Sequence, residues 1–587
     1  MNVINYYYKK NLKTIREITP CYSANFFISK VNRMTARIYY GLLLALLFPS
    51  AFAAPLSPAD RDAIRQQQEQ LLLQGQQQRE ELQRSTPLPR AEAPVIPAPS
   101  SGPCFTIRTI TYSGATLLSA REQAKLSRPW LNQCLDMPRI TKLINSVSDW
   151  YLSRGYITSR AFLTEQDLSR GELHIVVLEG KLRQIRLENK TPLMLKMAFP
   201  GLEGKILNLR DIEQGMEQIN RLRATPVQID ILPDSAPGWS VVNLTATPEF
   251  PLRATVSFDN SGQKSTGTGQ LNGSLTGNNL LGIADQWFVS GGRSSDFATA
   301  YNARSLQAGV SIPWGYSLLD YSYSWSDYRS TLDNQGFMWI STGDSETHRL
   351  NLSRVVFRNG DIKTALNAGV TRRESHNWLN DALLASSSRK LSSLTLGVNH
   401  TQKTGGGVAT FNPAFSRGMP WFDSETDETK TGDEPKAQFR KWSLSASWQR
   451  PLSQDLWWLT SAYGQWSPDR LYSAERLTLG GESSVRGFKE QYLSGDNGGY
   501  WRNELNYTLA TLPVLGQISA TAALDGGWLA RDKLDRYASG TLWGAAVGLG
   551  SAGRWFASQL TVGTPLQYPD WLGPDHFTVN YRIAFTL

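Results

Sequence analysis

Apolar and polar residues alternate with a period of two through most of residues 251–587. At the C-terminal end Phe577, Val579, Tyr581, Ile583, Phe585 and Leu587 share one face, and Thr578, Asn580, Arg582, Ala584 and Thr586 the other. Leu319, Tyr321, Tyr323 and Trp325 alternate with Asp320, Ser322, Ser324 and Ser326, and Trp442, Leu444, Ala446 and Trp448 with Ser443, Ser445, Ser447 and Gln449. Such a period is the signature of strands with one oily and one wet face. A single run of this kind also fits a soluble sandwich. The pattern's length, with tyrosine and tryptophan on one face and serine and asparagine on the other, predicts a transmembrane barrel with a lipid-facing exterior, aromatic girdles and a wet lumen.

The pattern changes upstream. Residues 104–250 read as soluble α/β: a strand at 105–111, helices near 119–131 and 136–153, then strands at 157–163 and 172–179. Ile140, Leu143, Ile144, Val147 and Tyr151 form one stripe on the second helix. The order recurs as a strand at 183–188, helical patterns between Pro192 and Arg223, and strands at 227–232 and 240–246. Two small sheets of this kind leave strand edges and helix–strand grooves that can accept an extended partner by strand addition. Before them, residues 57–84 read as a helix with Ser57 as N-cap, Pro58 in the first turn and Asp60 as a capping acid. Its apolar face is thin, Gly75 is expected to interrupt it, and it suits a polar channel or a weak coiled coil. Pro87, Pro89, Pro94, Pro97, Pro99 and Pro103 make the next segment an extended, semi-rigid tether. A polar helix on a tether reads as a movable plug for a lumen, the alternative being a solvated tail.

The N-terminus carries an address. Arg37, the apolar run Ile38–Phe48 and the small-residue site Ala51-Phe52-Ala53 have the layout of a secretory signal, with Met34 as the expected start. That run is shorter than the about 20 residues a spanning helix needs, so a membrane protein of this sequence must span with strands. The chain carries +9, but residues 1–53 hold seven Lys/Arg and one Glu, which leaves only +3 on the remainder. The basic pI therefore does not point to nucleic acid. Cys104 and Cys134 are the cysteines left after the signal, and in an exported domain they read as a disulfide, the alternative being two buried thiols. His174, His348, His376, His400 and His576 have no metal-ligand spacing, Gly267-Thr268-Gly269 sits in a hairpin, and Gly481-Glu482-Ser483-Ser484 completes no G-x-S-x-G. No enzyme activity, cofactor or metal is expected.

One stretch breaks the barrel pattern: Gly480-Gly481-Glu482-Ser483-Ser484-Val485-Arg486-Gly487-Phe488, a run of small residues around a single cation. Glycine permits a tight turn, and Arg486 is expected at the tip of a flexible loop, where an inward-pointing carboxylate would receive it. Asp525 is that candidate: strand alternation turns Ser519, Thr521, Ala523 and Asp525 inward and Ile518, Ala520, Ala522 and Leu524 to lipid. In a wet lumen the pair is expected to be worth less than a buried bridge, fixing the loop more than stabilising the barrel.

These residues resemble those of a known family. Ser153-Arg154-Gly155-Tyr156-Ile157-Thr158-Ser159-Arg160, with Gln166-Asp167-Leu168 and Glu179-Gly180, resembles the first POTRA domain of two-partner secretion transporters, the TpsB family. Asp259-Asn260-Ser261-Gly262 with Thr266-Gly267, then Asn279-Leu280-Leu281-Gly282 with Asp285-Gln286, is similar to its first barrel hairpins. Val485-Arg486-Gly487-Phe488 resembles the tip of its sixth extracellular loop, Arg502-Asn503-Glu504-Leu505 the strand that follows, and Leu524-Asp525-Gly526-Gly527 the inner-wall motif that receives the arginine. Ala523 replaces the usual aromatic of that motif, and Leu587 the usual terminal aromatic. The resemblance implies a signal segment (1–53), a plug helix (54–85), a Pro-rich linker (86–103), two periplasmic POTRA domains (104–180 and 181–250) and a barrel of 16 antiparallel strands (251–587). It implies export of one large exoprotein, bound unfolded through its N-terminal secretion domain and threaded without ATP. The cargo classes are a cytolysin, an adhesin or a contact-dependent growth-inhibition toxin. Outer-membrane lipid and the barrel assembly machinery complete the expected partners of a monomer that binds no nucleic acid. An insertase of the same superfamily is the rival reading, and it typically carries more POTRA domains and lacks the tether.

Overall fold

The computed structural model describes residues 56–85, 103–223, 225–334 and 337–587; the signal segment with Met34 and nearly all of the linker lie outside them. The two α/β domains share one connectivity. In the first, Glu172–Leu178 is the central strand, parallel to Thr109–Ser113 and antiparallel to Arg160–Leu163. In the second, Trp239–Thr245 is central, parallel to Lys181–Leu187 and antiparallel to Gln228–Pro233. Helix Met137–Ser153, capped by Asp136, lays Ile140, Leu143, Val147 and Tyr151 onto Leu173 and Ile175 with no exposed surface, so its stripe is the core of the domain.

Three expectations for the first domain need correction: the strand expected at 157–163 begins only at Arg160, after a turn at 157–158, and two others differ more. The strand expected at 105–111 is two strands, because the N–H groups of Arg108 and Thr109 both turn to the carbonyl of Gly171. Phe105–Ile107 pairs instead with Gln133–Leu135, a strand without sequence signal, and the Cys104–Cys134 disulfide ties the pair with Cα atoms 5.3 Å apart. The expected helix 119–131 ends at Ser127 and passes into a 3-10 turn containing Pro129, whose missing N–H cannot continue the ladder.

Sixteen antiparallel strands close the barrel. The first, Leu252–Asp259, pairs with the last, Thr578–Thr586, over five residues. Strand length is uneven, from 8 residues in the first strand to 18, 22 and 18 in Ser317–Asn334, Phe337–Arg358 and Ile362–Leu379. The pleat turns apolar residues such as Leu350, Leu352, Trp442 and Leu524 outward, where they are exposed. Asn272, Ser447, Ser519 and Thr521 face the lumen. Helix Pro58–Gln83 lies inside that lumen and runs unbroken through Gly75. Gly75 is buried against Ser447 and Thr410 of the wall rather than ending the helix, which is held by neighbours along its whole length.

Candidate functional site

The loop between strands Leu456–Trp466 and Gly498–Leu512 folds back into the barrel and is anchored there. Leu477–Leu479 pairs with Leu493–Gly495 as a short ribbon at its neck. Val485 and Phe488 flank the arginine and are buried with Leu479, Leu493, Tyr500 and Leu542, so an apolar clamp holds both sides of the tip. Gly487 has φ +94°, and a Cβ there would stand 2.4 Å from the carbonyl oxygen of Thr564. A Cβ at Gly544, on the facing wall strand, would stand 1.8 Å from the carbonyl oxygen of Arg486. Loop and wall touch backbone to backbone, which requires glycine on both sides.

Arg486 meets Asp525 through both arms of its fork: Nε donates to Oδ2 at 2.6 Å and Nη2 to Oδ1 at 2.7 Å, while the Arg486 backbone N–H reaches Oδ2 at 3.1 Å. This bidentate geometry is the strong form of the pair. It is not the solvated contact a wet lumen would give. Asp525 has no exposed surface and Arg486 only 5%, beside the apolar clamp of Leu479, Val485 and Phe488. Nor is Arg486 alone at a flexible tip. Its Nη1 lies 3.1 Å from Glu504, which also holds Arg502 at 2.9 Å, and Arg502 donates to the carbonyl of Glu482 at 2.6 Å. Glu482 in turn accepts from Asn580 at 2.7 Å. In the sequence Arg502 and Glu504 stand out only as a strand motif; the available signal is their spacing of two on one strand, which places both on the inner face.

The lumenal helix touches this loop and then the wall. Gln68 donates to the carbonyl of Thr478 at 2.8 Å and accepts from Ser483 at 3.0 Å. Asp60 pairs with Arg373 at 2.7 Å, and the Arg61 guanidinium lies over the Tyr492 ring at 4.7 Å. Arg79 donates to Gln449 at 3.1 Å and to Ser447. At the periplasmic mouth Lys363 bridges Glu81 of the helix at 2.7 Å and Glu217 of the second α/β domain at 2.6 Å. Arg358 joins the same cluster, 2.7 Å from Glu217 and 3.2 Å from the Ser85 hydroxyl. A cavity of about 1140 Å³ remains between helix and wall.

The first-domain motif lies elsewhere, at the joint between the α/β domains. Gly155 has φ +93°, and a Cβ there would come within 2.5 Å of Asn208 Oδ1. Asn208 caps helix Leu209–Asn220 of the second domain. Its side-chain amide also reaches the Arg154 carbonyl at 3.1 Å, while Leu209 N–H reaches Gly155 at 2.8 Å and Leu207 N–H reaches Gly180 at 2.8 Å. Gly180 is crowded by Thr158, whose hydroxyl a Cβ would meet at 2.3 Å. Tyr156 packs edge-on to Tyr151 at 6.2 Å. The Gln166 carboxamide bonds the His174 backbone at 2.6 and 2.8 Å, taking the place of a ladder residue beyond Arg160–Leu163. The Cys104–Cys134 bridge is remote from both the loop and the joint.

A barrel carrying two periplasmic α/β domains, with a cationic loop and a helix folded into its lumen, defines an outer-membrane protein transporter. Family models agree: residues 105–180 match the ShlB-type POTRA domain, 181–233 a POTRA domain, and 238–551 the haemolysin secretion/activation protein ShlB/FhaC/HecB. The outer membrane transporter CdiB of Escherichia coli is 58% identical over 98% of both chains, and the hemolysin transporter protein ShlB of Serratia marcescens is 32% identical over 70% of this chain and 74% of its own. A solved structure of CdiB from Escherichia coli superposes with a TM-score of 0.89 at 61% identity, covering 91% of this chain and all of that one. The chain belongs to the ShlB/FhaC/HecB family of two-partner secretion transporters of the outer membrane, and its POTRA domains lie in the periplasm.

Proposed function

We propose that the chain exports one large exoprotein, capturing its unfolded N-terminal secretion domain on the joined POTRA pair and passing it in extended form through the barrel. The periplasm offers no ATP, so docking and folding outside supply the free energy. The cargo is a contact-dependent growth-inhibition toxin, a haemolysin or an adhesin; high identity to transporters called CdiB favours the first. The observation that carries this reading is the occupied lumen: a polar helix held by hydrogen bonds along its length and touching the inward loop is a removable plug. An insertase reading gives that helix no task. The other partners are outer-membrane lipid and, during biogenesis, the barrel assembly machinery. The transporter acts as a monomer, with no catalytic step, metal, cofactor or nucleic acid.

The buried bridge from Arg486 to Asp525 fixes the loop in its inward position. Arg486→Ala leaves Asp525 buried beside Glu504 without its fork, a loss of about 3–5 kcal/mol, which the sixteen-strand ladder tolerates and the loop does not. The expected result is a heat-modifiable, folded barrel with sharply reduced secretion of the partner. Normal secretion by that variant would remove the bridge from the mechanism.

A further inference from the structure

The lipid-facing wall holds a cation whose side chain has no partner among the described residues. Arg354 lies on strand Phe337–Arg358, just above the periplasmic turn that joins it to Ile362–Leu379. The pleat turns it outward with Leu352 and Val356, which are 48% and 52% exposed, and its cross-strand neighbour Leu366 is 50% exposed. Higher on the same outer face Arg372 and Lys390 each lie 2.8 Å from Glu374, and Arg304 pairs with Asp327. The Arg354 side chain has no hydrogen bond or ion pair among the described residues. A charge in the apolar belt is costly, and less so toward the interface, so an anion at that depth would stabilise it.

A trough of about 1110 Å³ opens onto the bilayer from the same place, lined by Arg354, Ala368, Leu396, Pro413, Leu444 and Trp442. Its form has a backbone cause. Pro413 lacks an N–H, and the pairing of Arg389–Thr404 with Gly407–Met419 lapses between Gly397↔Ala414 and His400↔Phe411. Ala368 and Gly464 add no bulk to the floor. Phe415, Trp442 and Trp466, with successive ring centroids 4.9 Å apart, wall the upper side.

We propose that this trough seats one phospholipid of the inner leaflet, its phosphate on the Arg354 fork and an acyl chain along the apolar floor. Arginine's planar donors match a phosphate, and the cation lies at the periplasmic end, where inner-leaflet headgroups are. An apolar floor of this volume has no use for free phosphate. The seat also backs onto the plug: Thr410 and Ser447, on the inner face of the strands that carry Pro413 and Leu444, are the wall against Gly75 and Arg79 of the helix.

The test is native mass spectrometry of the full-length protein in detergent, titrated with phosphatidylglycerol, with heat-modifiability as the folding control. Wild type is expected to retain one lipid beyond the random adducts. Arg354→Gln should weaken that lipid by about tenfold, Arg354→Lys by less. Ala368→Trp, which fills the floor and keeps the cation, should weaken it comparably. Wild-type retention in both Arg354→Gln and Ala368→Trp overturns the proposal, as does random binding by wild type. A dimer that Ala368→Trp dissolves overturns it as well, by making a second copy of the chain the occupant.

Discussion

Glu81→Gln isolates what holds the plug at its periplasmic end. Glu81 lies at the last turn of the helix and reaches Lys363 at 2.7 Å, while Lys363 also holds Glu217 at 2.6 Å. The substitution removes one charge from the helix and leaves the POTRA-to-barrel pair in place. Because the Glu81 side chain is 40% exposed, solvent screens the pair, and its loss is worth about 1 kcal/mol rather than the value of a buried bridge. That raises the plug-out to plug-in ratio about fivefold. Lys363→Met acts on both contacts. Glu217 is still held by Arg358 at 2.7 Å, and its contact with Lys363 is made whether the plug is in or out, so Lys363→Met raises the ratio by about the same fivefold and in addition weakens the POTRA-to-barrel contact. Conductance in planar bilayers reads the ratio directly, with deletion of residues 57–84 as the fully open reference. The expected order of open probability is wild type lowest, Glu81→Gln and Lys363→Met raised by similar amounts, and the deletion highest. If the deletion opens the pore while Glu81→Gln and Lys363→Met both conduct like wild type, the cluster does not retain the plug and the reasoning fails.

Three further outcomes follow from geometry already described. Gly155→Ala should lower secretion and raise protease cleavage between the POTRA domains, since the new Cβ displaces Asn208 and uncaps its helix at a cost of about 1 kcal/mol; wild-type behaviour in both assays would refute the joint. Burial alone would push the Glu217 carboxyl up, but Lys363 and Arg358 outweigh it and hold the group below its usual value. Its folded-state pKa is therefore depressed, so the contact keeps its full strength above the ordinary glutamate range of about 4.3 and loses it as pH falls below that range; loosening of the POTRA-to-barrel contact to protease already between pH 7 and 5 would contradict this. Cys104→Ser opens a loop whose ends are 30 residues apart, and should destabilise the first POTRA domain by about 3.5 kcal/mol, visible as a lower unfolding midpoint that reductant no longer shifts.

The barrel was legible because its chemistry repeats: each strand announces two faces, and Ser519, Thr521 and Asp525 fall inward by counting alone. Arg486 was legible because the surrounding sequence is built to expose a turn. Burial was not. The Leu479, Val485, Phe488 and Leu542 clamp joins loop and wall segments far apart in the chain, so nothing local shows that Asp525 is dry. The short strand Gln133–Leu135 was invisible for the same reason: its partner, Phe105–Ile107, is fixed by a crossover near Gly171. Gly75 misled because its propensity favours a break, whereas the helix is decided by the wall around it. The glycines Gly155 and Gly180 could be recognised as a motif, but only packing reveals that they are a joint with Asn208.

The uneven strand lengths have a consequence for the exit. At about 3.4 Å per residue, the 22 residues of Phe337–Arg358 run nearly three times as far as the 8 of Leu252–Asp259. The mouth is therefore cut like a scoop, with a tall back formed by strands Ser317–Asn334, Phe337–Arg358 and Ile362–Leu379 and a low lip where the first and last strands meet. For the export proposed above, the tall side would flank an emerging polypeptide as a standing β-surface and the short strands would leave the opposite side lower, so the barrel's own shape would give the departing chain a direction.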